Sequence, residues 1–351
     1  MAAFIRNLWY VAGWSSDLPA GALLARQIIG DRVVLWRRSD GTAVAFEDRC
    51  PHRMAPLSAG RLESDELRCM YHGLRFNAAG ACVAVPATDR VPPRLSLRSY
   101  PVQERSSWLW VWTGDPAKAD PAVIPEGWGL DDPDWHLKAG SLDYAADYQL
   151  IHDNLLDLSH LDYLHETTLG AATGGRWSDE EPKIETIPGG IRVTRWLRDA
   201  SPPHRPGRVD TLTSYRFLLP GVFFQEVRMY PCGTAVRYDA TGDLPEPLFV
   251  RVDQQAVTPV EHSRARYYYA PGVSARHGDA AIAARMYEGV QETFMQDKTM
   301  IEAQAKIIAD TDPRRRMIFI PADKAPTMFR RLMADRLATE SPAPERFPTG
   351  N

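Results

Sequence analysis

Two cysteine–histidine pairs constrain this chain more than any other feature of its sequence. Cys50 and His52 lie two residues apart, and Cys69 and His72 follow after sixteen intervening residues. Each pair is close enough for one tight loop to present both side chains, and the gap suits two loops facing each other across a small β domain. Zinc is the simplest candidate, but zinc fingers usually pair cysteine with cysteine and histidine with histidine. One of each per loop favours a [2Fe–2S] cluster, with two thiolates on one iron and two imidazoles on the other.

Length and composition exclude several other classes of protein. The 351 residues suffice for about two domains, far more than a small electron carrier needs. The 41 basic and 45 acidic residues give a net charge of −4, so no excess of positive charge indicates binding to nucleic acid or to an anionic membrane. No apolar run approaches the ~18–20 residues of a membrane helix, and the N-terminal stretch lacks the pattern of a secretory signal. Four cysteines are too few for a disulfide framework, so we expect a cytoplasmic globular protein.

The N-terminal part of the chain predicts a small antiparallel β domain. Asp40-Gly41 is a favourable hairpin turn between two apolar runs, and a second hairpin is expected within residues 74–85. Trp108–Trp112 has the alternation of one more strand, whereas prolines interrupt the pattern from residue 114 to residue 133. These features predict a β domain at residues 1–115, a second domain at 116–340 and a flexible tail at 341–351.

The second domain is predicted to mix helices with strands, which makes the fold class α+β. Helical patterns cover residues 148–161 and residues 280–308. Small, glycine-rich residues at 167–175 predict a mobile loop that gates a substrate pocket. Strands are expected at residues 189–197, 211–219, 222–229 and 248–257.

Polar residues near the first of these helices form a candidate metal site. Asn154, Asp157 and His160 follow one another at three-residue spacing, and His165 comes five residues later. Five residues turn an ideal helix by about 500°, so the two histidines would point ~140° apart. They converge on one metal only if the helix ends or bulges between them. Taken alone, this spacing fits a polar helix edge with two solvent-facing histidines equally well.

Asp297 supplies a third candidate ligand on the long C-terminal helix. It lies four residues from both Thr293 and Ile301, on the apolar stripe of that helix. A buried carboxylate is costly unless it is paired or binds a metal. Two histidines and one carboxylate form the facial triad that holds Fe(II) and leaves positions open for O₂ and substrate. The alternative is that Asp297 faces solvent, because spacing alone does not bring the two helices together.

The other cysteines and histidines considered as ligands do not belong to a recognisable metal-binding motif. Cys82 falls in a predicted strand and Cys232 in a Pro-Cys-Gly turn, and both are expected to be buried or half-buried inert thiols. His136 and His152 are expected to be surface or packing histidines.

Both motifs resemble those of the Rieske non-haem iron oxygenases. The cluster motif is carried by the segments CPHR at 50–53 and CMYHG at 69–73, although Met70 stands where the family often has proline and Leu74 where it often has tryptophan. The iron motif is carried by His160, His165 and Asp297. Residues 5–14, the iron-site helix and residues 320–333 are similar to oxygenase subunits of the vanillate O-demethylase and dicamba O-demethylase type.

The resemblance implies a Rieske domain of antiparallel strands, followed by a catalytic domain with a central antiparallel sheet and flanking helices. It also implies two metal centres, a [2Fe–2S] cluster and a mononuclear Fe(II). Their ligands would be Cys50, His52, Cys69 and His72 for the cluster, and His160, His165 and Asp297 for the iron.

Two further roles and an assembly follow from the resemblance. Asp157 matches the family's bridging aspartate, and Asn154 either lies close to the iron or is a satisfied helix-face amide. The family forms homotrimers in which the cluster of one subunit faces the iron of the next, so Asp157 would join His72 of the neighbouring subunit to His160. Electrons would come from an NAD(P)H-dependent reductase, alone or with a ferredoxin, because no G-x-G-x-x-G segment here follows a strand and opens a helix.

We therefore expect a terminal oxygenase component that uses O₂ to hydroxylate or O-demethylate an aromatic substrate, most simply a methoxylated carboxylate. Ring dihydroxylation and methyl hydroxylation are alternatives within the same class. A pure electron-transfer protein and a zinc-binding adaptor are alternatives from other classes. The length of the second domain argues against the former, and the mixed cysteine–histidine pairing argues against the latter.

Overall fold

The computed structural model of the chain describes residues 4–88, 90–92, 94–174, 176–202, 207–238, 240 and 242–340. The tail predicted at 341–351 therefore lies outside the described residues. Within the described ranges, antiparallel sheets and five α-helices form the α+β architecture expected from the sequence.

Three small sheets make up the N-terminal part. Their orders are β1-β11-β10, β2-β3-β4-β9 and β5-β6-β7-β8, and the two predicted hairpins are confirmed as the pairs β3–β4 and β7–β8. The strands are β1 (Trp9–Trp14), β2 (Leu24–Ile28), β3 (Asp31–Arg37), β4 (Ala43–Glu47), β5 (Arg61–Glu63), β6 (Glu66–Arg68), β7 (Arg75–Asn77), β8 (Cys82–Ala84), β9 (Ser99–Tyr100), β10 (Val102–Arg105) and β11 (Trp108–Trp112).

One large antiparallel sheet dominates the C-terminal part, in the order β12-β19-β18-β17-β16-β15-β14, with β13 also pairing with β19. Four of its strands, β15 to β18, occupy the four regions predicted from the sequence. The predicted domain boundary falls between β11 and β12, where Pro116–Lys118 and Pro121–Val123 form short 3₁₀ turns. The strands are β12 (Trp135–Leu137), β13 (Gly140–Tyr144), β14 (Lys183–Ile187), β15 (Gly190–Ala200), β16 (Val209–Leu218), β17 (Val222–Pro231), β18 (Phe249–Glu261) and β19 (Arg264–Ser274).

Two predictions for the helical segments differ from the structure, and the helices at Thr234–Arg237 and Lys324–Ala338 were not predicted. The helix predicted over 148–161 ends at Leu156, and the loop predicted over 167–175 contains a short helix, with Gly175 outside the described residues. No described helix has the length and apolarity needed to cross a membrane. The helices are α1 (Tyr148–Leu156), α2 (Leu169–Thr173), α3 (Thr234–Arg237), α4 (Ala280–Asp310) and α5 (Lys324–Ala338).

Small residues in this segment permit close packing, which is why the loop prediction was wrong. A Cβ on Gly170 would lie 2.2 Å from the carbonyl oxygen of Leu161, so only glycine lets α2 approach the preceding turn this closely. The N–H of Gly170 donates to the carbonyl oxygen of His165 at 3.0 Å. The segment is thereby fixed to the chain that carries the two candidate histidines.

The large sheet is covered on both faces, as three consecutive tyrosines of β19 show. Side chains alternate across a strand. Tyr267 and Tyr269 therefore pack under the helices with Phe294 of α4, whereas Tyr268 packs against the tryptophans of β1 and β11. The hydroxyl of Tyr268 also donates to the carbonyl oxygen of Ala12 at 2.8 Å. The N-terminal part thus covers one face of the sheet, and the helix layer with the candidate iron residues covers the other.

Candidate metal centres and substrate cavity

Two equivalent loops present the first set of candidate ligands. In one, the N–H of Cys50 donates to the carbonyl oxygen of Ala55 at 2.8 Å, and the N–H of Met54 donates back to Cys50 at 2.9 Å. In the other, the N–H of Cys69 donates to Leu74 at 2.8 Å, and the N–H of Gly73 donates back to Cys69 at 2.9 Å. The fourth residue after each cysteine has positive φ, 59° at Met54 and 74° at Gly73. Each loop is thus one tight turn held by the same pair of bonds.

The four side chains separate by type. Cys50 and Cys69 are buried at 1% exposure each, within the core between β3, β4 and the small hairpins. The rings of His52 and His72 are exposed, with centroids 4.6 Å apart. Of the two positions that differ from the family pattern, Met70 is exposed and Leu74 is a core residue.

This arrangement fits a [2Fe–2S] cluster better than a zinc ion. Ligands of one tetrahedral zinc lie about 2.0–2.3 Å from the metal, so their donor atoms crowd together. Within the described part of the chain, only His160, His165 and Asp297 bring three such atoms within 4.8 Å of one another. A buried cysteine pair with an exposed histidine pair instead matches a cluster whose two irons have different ligands.

The environment of Cys50 also suits a metal-bound sulfur. Burial raises the pKa of its thiol to about 11, and the neighbouring thiol of Cys69 acts in the same direction. The backbone N–H groups of His52 and Arg53 oppose this effect, because they donate toward the sulfur and favour the thiolate. A positive metal centre at this position provides the remaining stabilisation of the thiolate.

The second site begins where α1 ends. Asp157 has extended backbone angles (φ −120°, ψ 95°), and its carboxylate accepts the N–H of Ser159 at 3.0 Å. It thereby caps a new 3₁₀ turn, Leu158–Asp162, that carries His160. This break removes the ~140° divergence expected for an unbroken helix. The break was expected between His160 and His165, but α1 already ends at Leu156, before both histidines, and the 3₁₀ turn that carries His160 ends at Asp162.

The carboxylate of Asp297 contacts the rings of both histidines. Its Oδ1 lies 3.0 Å from Nε2 of His165 and 3.5 Å from Nε2 of His160, and the two imidazole rings are 5.1 Å apart. Asp297 is 4% exposed, and His165 is completely buried. The three residues predicted from spacing are therefore brought together, and the solvent-facing alternative for Asp297 is wrong.

The other ring nitrogen of each histidine, Nδ1, forms a hydrogen bond. Nδ1 of His160 lies 2.5 Å from the backbone carbonyl oxygen of Asp157, and Nδ1 of His165 lies 2.8 Å from Oε1 of Gln296. Since both partners are acceptors, the proton of each ring is assigned to Nδ1, which leaves Nε2 free to bind a metal. Sequence reasoning missed Gln296, for which adjacency to Asp297 was the available signal.

The electrostatics of the three residues favour an ionised carboxylate. Burial alone would raise the pKa of Asp297, but without a metal the rings of His160 and His165 also take up a proton at Nε2, and their hydrogen bonds and positive charge lower that pKa to about 2. Burial likewise works against this second proton on His165, yet the carboxylate of Asp297 stabilises it and raises the pKa of the ring. One anionic oxygen and two imidazoles that share a buried point are the donor set of a divalent metal.

Asn154 also reaches this point. Its Nδ2 donates to Oδ1 of Asp297 at 2.8 Å and lies 3.4 Å from Nε2 of His160. Asn154 therefore lies beside the three candidate iron ligands, which is the first of the two positions considered for it.

A cavity opens onto the three candidate iron ligands. Its apolar wall is formed mainly by Leu155, Leu161, Trp177, Phe223 and Phe294. The sheet contributes a polar wall that includes Arg251, Asp253 and Gln255. Burial raises the pKa of Asp253 to about 7, with Arg251 and Gln255 acting in the opposite direction. Sequence reasoning missed this polar wall.

The other residues of ligand type remain outside both sites. Cys82 is buried, as expected, whereas Cys232 is exposed, which corrects the expectation of a buried or half-buried thiol. His152 is a packing residue, with its ring among Tyr148 and two phenylalanines. His136 lies half-buried on β12.

Two family models match separate parts of the chain. The Rieske [2Fe-2S] domain model matches residues 8–101, which include all four candidate cluster ligands. The model of the vanillate O-demethylase oxygenase C-terminal domain matches residues 144–339, which include His160, His165 and Asp297.

Similar proteins cover almost the whole chain. The iron-sulfur subunit of the toluene-4-sulfonate monooxygenase system of Comamonas testosteroni is 38% identical over 341 residues, 95% of this chain and 97% of the relative. The vanillate O-demethylase oxygenase subunit of Pseudomonas sp. strain HR199 is 31% identical over 353 residues, 97% of each chain. The crystal structure of dicamba monooxygenase bound to dicamba superposes with a TM-score of 0.84 at 28% identity, covering 95% of this chain and 98% of that one.

Proposed function

The chain belongs to the Rieske non-haem iron oxygenases, in the group defined by the vanillate O-demethylase oxygenase domain, and from this we propose that it oxidises a methoxylated aromatic acid. As a member of that family it is an oxygenase component with a [2Fe–2S] cluster and a mononuclear iron. The identity of its substrate and the role of each site residue are our proposals. The observation that carries them is a histidine–histidine–aspartate site, with His165 and Asp297 buried and His160 half-buried, that opens into a mainly apolar cavity.

The cluster is held by Cys50 and Cys69 on one iron and by His52 and His72 on the other. Burial of the two cysteines and exposure of the two histidines support this assignment. Exposed imidazoles place one end of the cluster at the protein surface. An electron can therefore enter or leave through the histidine end without crossing the N-terminal core.

The mononuclear iron is held by Nε2 of His160, Nε2 of His165 and the carboxylate of Asp297. When bound, it supplies O₂ activation and the insertion of one oxygen atom into a substrate C–H bond, with electrons relayed by the cluster. The surrounding residues position the ligands. Gln296 and the carbonyl oxygen of Asp157 hold the Nδ1 protons, so that both rings present an unprotonated nitrogen.

The cavity walls determine what is oxidised. Trp177, Phe223 and Phe294 offer aromatic surface to an aromatic ring and exclude water from the site. Hydroxylation of a methoxy carbon produces a hemiacetal, which breaks down to a phenol and formaldehyde. The reaction consumes one O₂, two electrons and two protons, and it releases one water.

Electron transfer involves a second copy of the chain. The four cluster residues lie in the N-terminal sheets, whereas the iron residues lie in the helix layer on the far side of the large sheet. We therefore assign the chain to a homotrimer, in which Asp157 joins His72 of the neighbouring subunit to His160. The half-buried carboxylate of Asp157 and the contact of its carbonyl oxygen with His160 support this route.

The electrons originate outside the chain. Names of its relatives, "oxygenase subunit" and "system iron-sulfur subunit", describe components of larger systems. An NAD(P)H-dependent reductase, alone or with a ferredoxin, is the proposed partner. Dependence on cellular NAD(P)H makes the cytoplasm the proposed location.

A second candidate reaction is hydroxylation of an aryl methyl group. It is favoured by the 38% identity, over 95% of this chain, to the subunit named for toluene-4-sulfonate. Both reactions replace a C–H bond of a methyl group by C–OH, but only attack on a methoxy carbon releases formaldehyde.

One assay distinguishes these reactions. The holoenzyme is supplied with NADH and a reductase and is then offered methoxybenzoates and methylbenzenesulfonates. The proposal predicts NADH oxidation with stoichiometric formaldehyde from a methoxylated acid. Benzyl alcohol products without formaldehyde would favour the second reaction. Consumption of NADH with no organic product from any probe would overturn both.

A further inference from the structure

Strand β18 carries an unusual row of polar residues on an interior face. Arg251, Asp253 and Gln255 alternate along the strand, so their side chains share one face of the sheet. Val257, the next residue of the row, belongs to the core beneath the helices, which identifies that face as the inner one. Arg251 is 9% exposed, and Asp253 and Gln255 are 3% exposed each.

The row forms part of the cavity wall that also contains the candidate iron ligands. Arg251, Asp253 and Gln255 line it together with His160, His165 and Asp297. A molecule that fills this cavity therefore borders both the polar row and the candidate iron ligands.

The members of the row differ in how well they are satisfied. Oε1 of Gln255 accepts the hydroxyl of Tyr267 at 2.6 Å. Oδ1 of Asp253 has no hydrogen-bond partner among the described residues. The side chain of Arg251 lacks a hydrogen-bond partner among the described residues as well. No hydrogen bond or ion pair within 4.0 Å involves its guanidinium in the described part of the chain, although Asp253 is near enough to interact electrostatically.

A buried guanidinium without a partner is costly, because the charge has lost its water. Arginine offers five N–H donors in a planar fork, which matches the oxygens of an anionic group bidentately. The same fork offers nothing comparable to an apolar substituent.

Resting on the oxygenase function proposed above, we propose that Arg251 binds the anionic group of the substrate, a carboxylate or sulfonate on an aromatic ring. The ring then lies along the apolar wall, and the anion holds it with its opposite substituent toward the iron. Asp253 restricts the range of substrates further. Its unpartnered oxygen disfavours a second anionic group on the substrate, and it accepts a hydrogen bond from a substrate hydroxyl. Arg251 is thus a residue that determines specificity.

Binding measurements on the holoenzyme without O₂ test this directly. The probes are 4-methylbenzoate, 4-methylbenzenesulfonate and the neutral 4-methylbenzamide, titrated by calorimetry. Wild type is expected to bind one of the anions about 10- to 100-fold more tightly than the amide, the range of a charge-assisted hydrogen bond. The tighter of the two anions identifies the substrate's acid group.

Variants at Arg251 show whether this residue causes the preference for anions over the amide. Arg251→Gln is expected to bring the anion and the amide within about twofold of each other, without weakening the amide, whereas Arg251→Lys keeps part of the preference. Arg228→Gln is the matched control, since Arg228 is a half-buried arginine on the adjacent β17 that pairs with Glu226 and does not line the cavity. Visible absorption of the cluster and the unfolding temperature show whether each variant is folded.

Failure of this inference differs from failure of the proposed function. Absence of anion preference in wild type, or its persistence in a folded Arg251→Gln variant, would overturn the role of Arg251 even if formaldehyde is released. Anion binding that depends on Arg251, without oxidation of any probe, would uphold that role and refute only the proposed reaction.

Discussion

His152 gives the stability of the protein a pH dependence that a single substitution should remove. Its ring is 3% exposed and packs edge-on against Tyr148, Phe217 and Phe329 at 5.1 to 5.6 Å. Its Nε2 has no hydrogen-bond partner among the described residues. Burial, together with the positive charge of Arg330, lowers the pKa of the ring from 6.5 to about 3.

The direction of the effect follows from proton linkage. Since the folded pKa lies below the unfolded one, the unfolded chain binds the proton first as the pH falls. Stability from the neutral ring is fully present above pH 6.5 and is lost progressively toward pH 3. Each pH unit in that window costs about 1.4 kcal/mol, so going from pH 7.5 to pH 5.0 removes about 2 kcal/mol from the free energy of unfolding.

Thermal unfolding at pH 7.5 and pH 5.0 measures this loss. For a domain of this size, 2 kcal/mol corresponds to about 4–8 °C. Between pH 7.5 and pH 5.0, the unfolding temperature of His152→Leu should therefore fall by about 4–8 °C less than that of wild type. This holds whatever the difference between the two proteins at neutral pH. His136→Leu, on β12, serves as the control and should follow wild type. Equal pH dependence in wild type and His152→Leu would refute the assignment of a buried neutral ring.

Two further predictions concern the metal sites. Asp157→Asn retains an acceptor for the N–H of Ser159 and should keep both metal sites filled while turnover with the reductase is lost; near wild-type turnover would contradict the bridging role. Gln296→Leu removes the acceptor of the His165 ring proton and should weaken iron retention against a chelator about 10- to 100-fold, with the cluster spectrum unchanged. Unaltered retention would show that Gln296 does not orient the ring.

The candidate metal ligands could be selected from the sequence because metal chemistry demands particular residue types at particular spacings. Cys50 and His52 must share one loop, and a carboxylate such as Asp297 has few reasons to lie on a buried stripe. Spacing alone could not show how His160 and His165 converge. That depended on Asp157, whose side chain caps a new turn where the helical pattern predicted continuation.

The substrate wall was not predictable for a different reason. Alternating polar residues in a strand normally indicate a face turned to solvent. In β18 the alternation of Arg251, Asp253 and Gln255 faces inward, because helices cover that side and leave a cavity above it. The helix α2 was missed similarly, since glycine at position 170 permits close packing as readily as it permits mobility. Tertiary context decides both cases.

Counting metals tests the central claim, two separate iron centres in one chain, most directly. A [2Fe–2S] cluster and one further iron require three irons and two acid-labile sulfides per chain. Wild type should give these counts, and Asp297→Ala should lose one iron while both sulfides and the visible absorption remain. A colourless zinc protein, or equal loss of both centres from Asp297→Ala, would contradict the account.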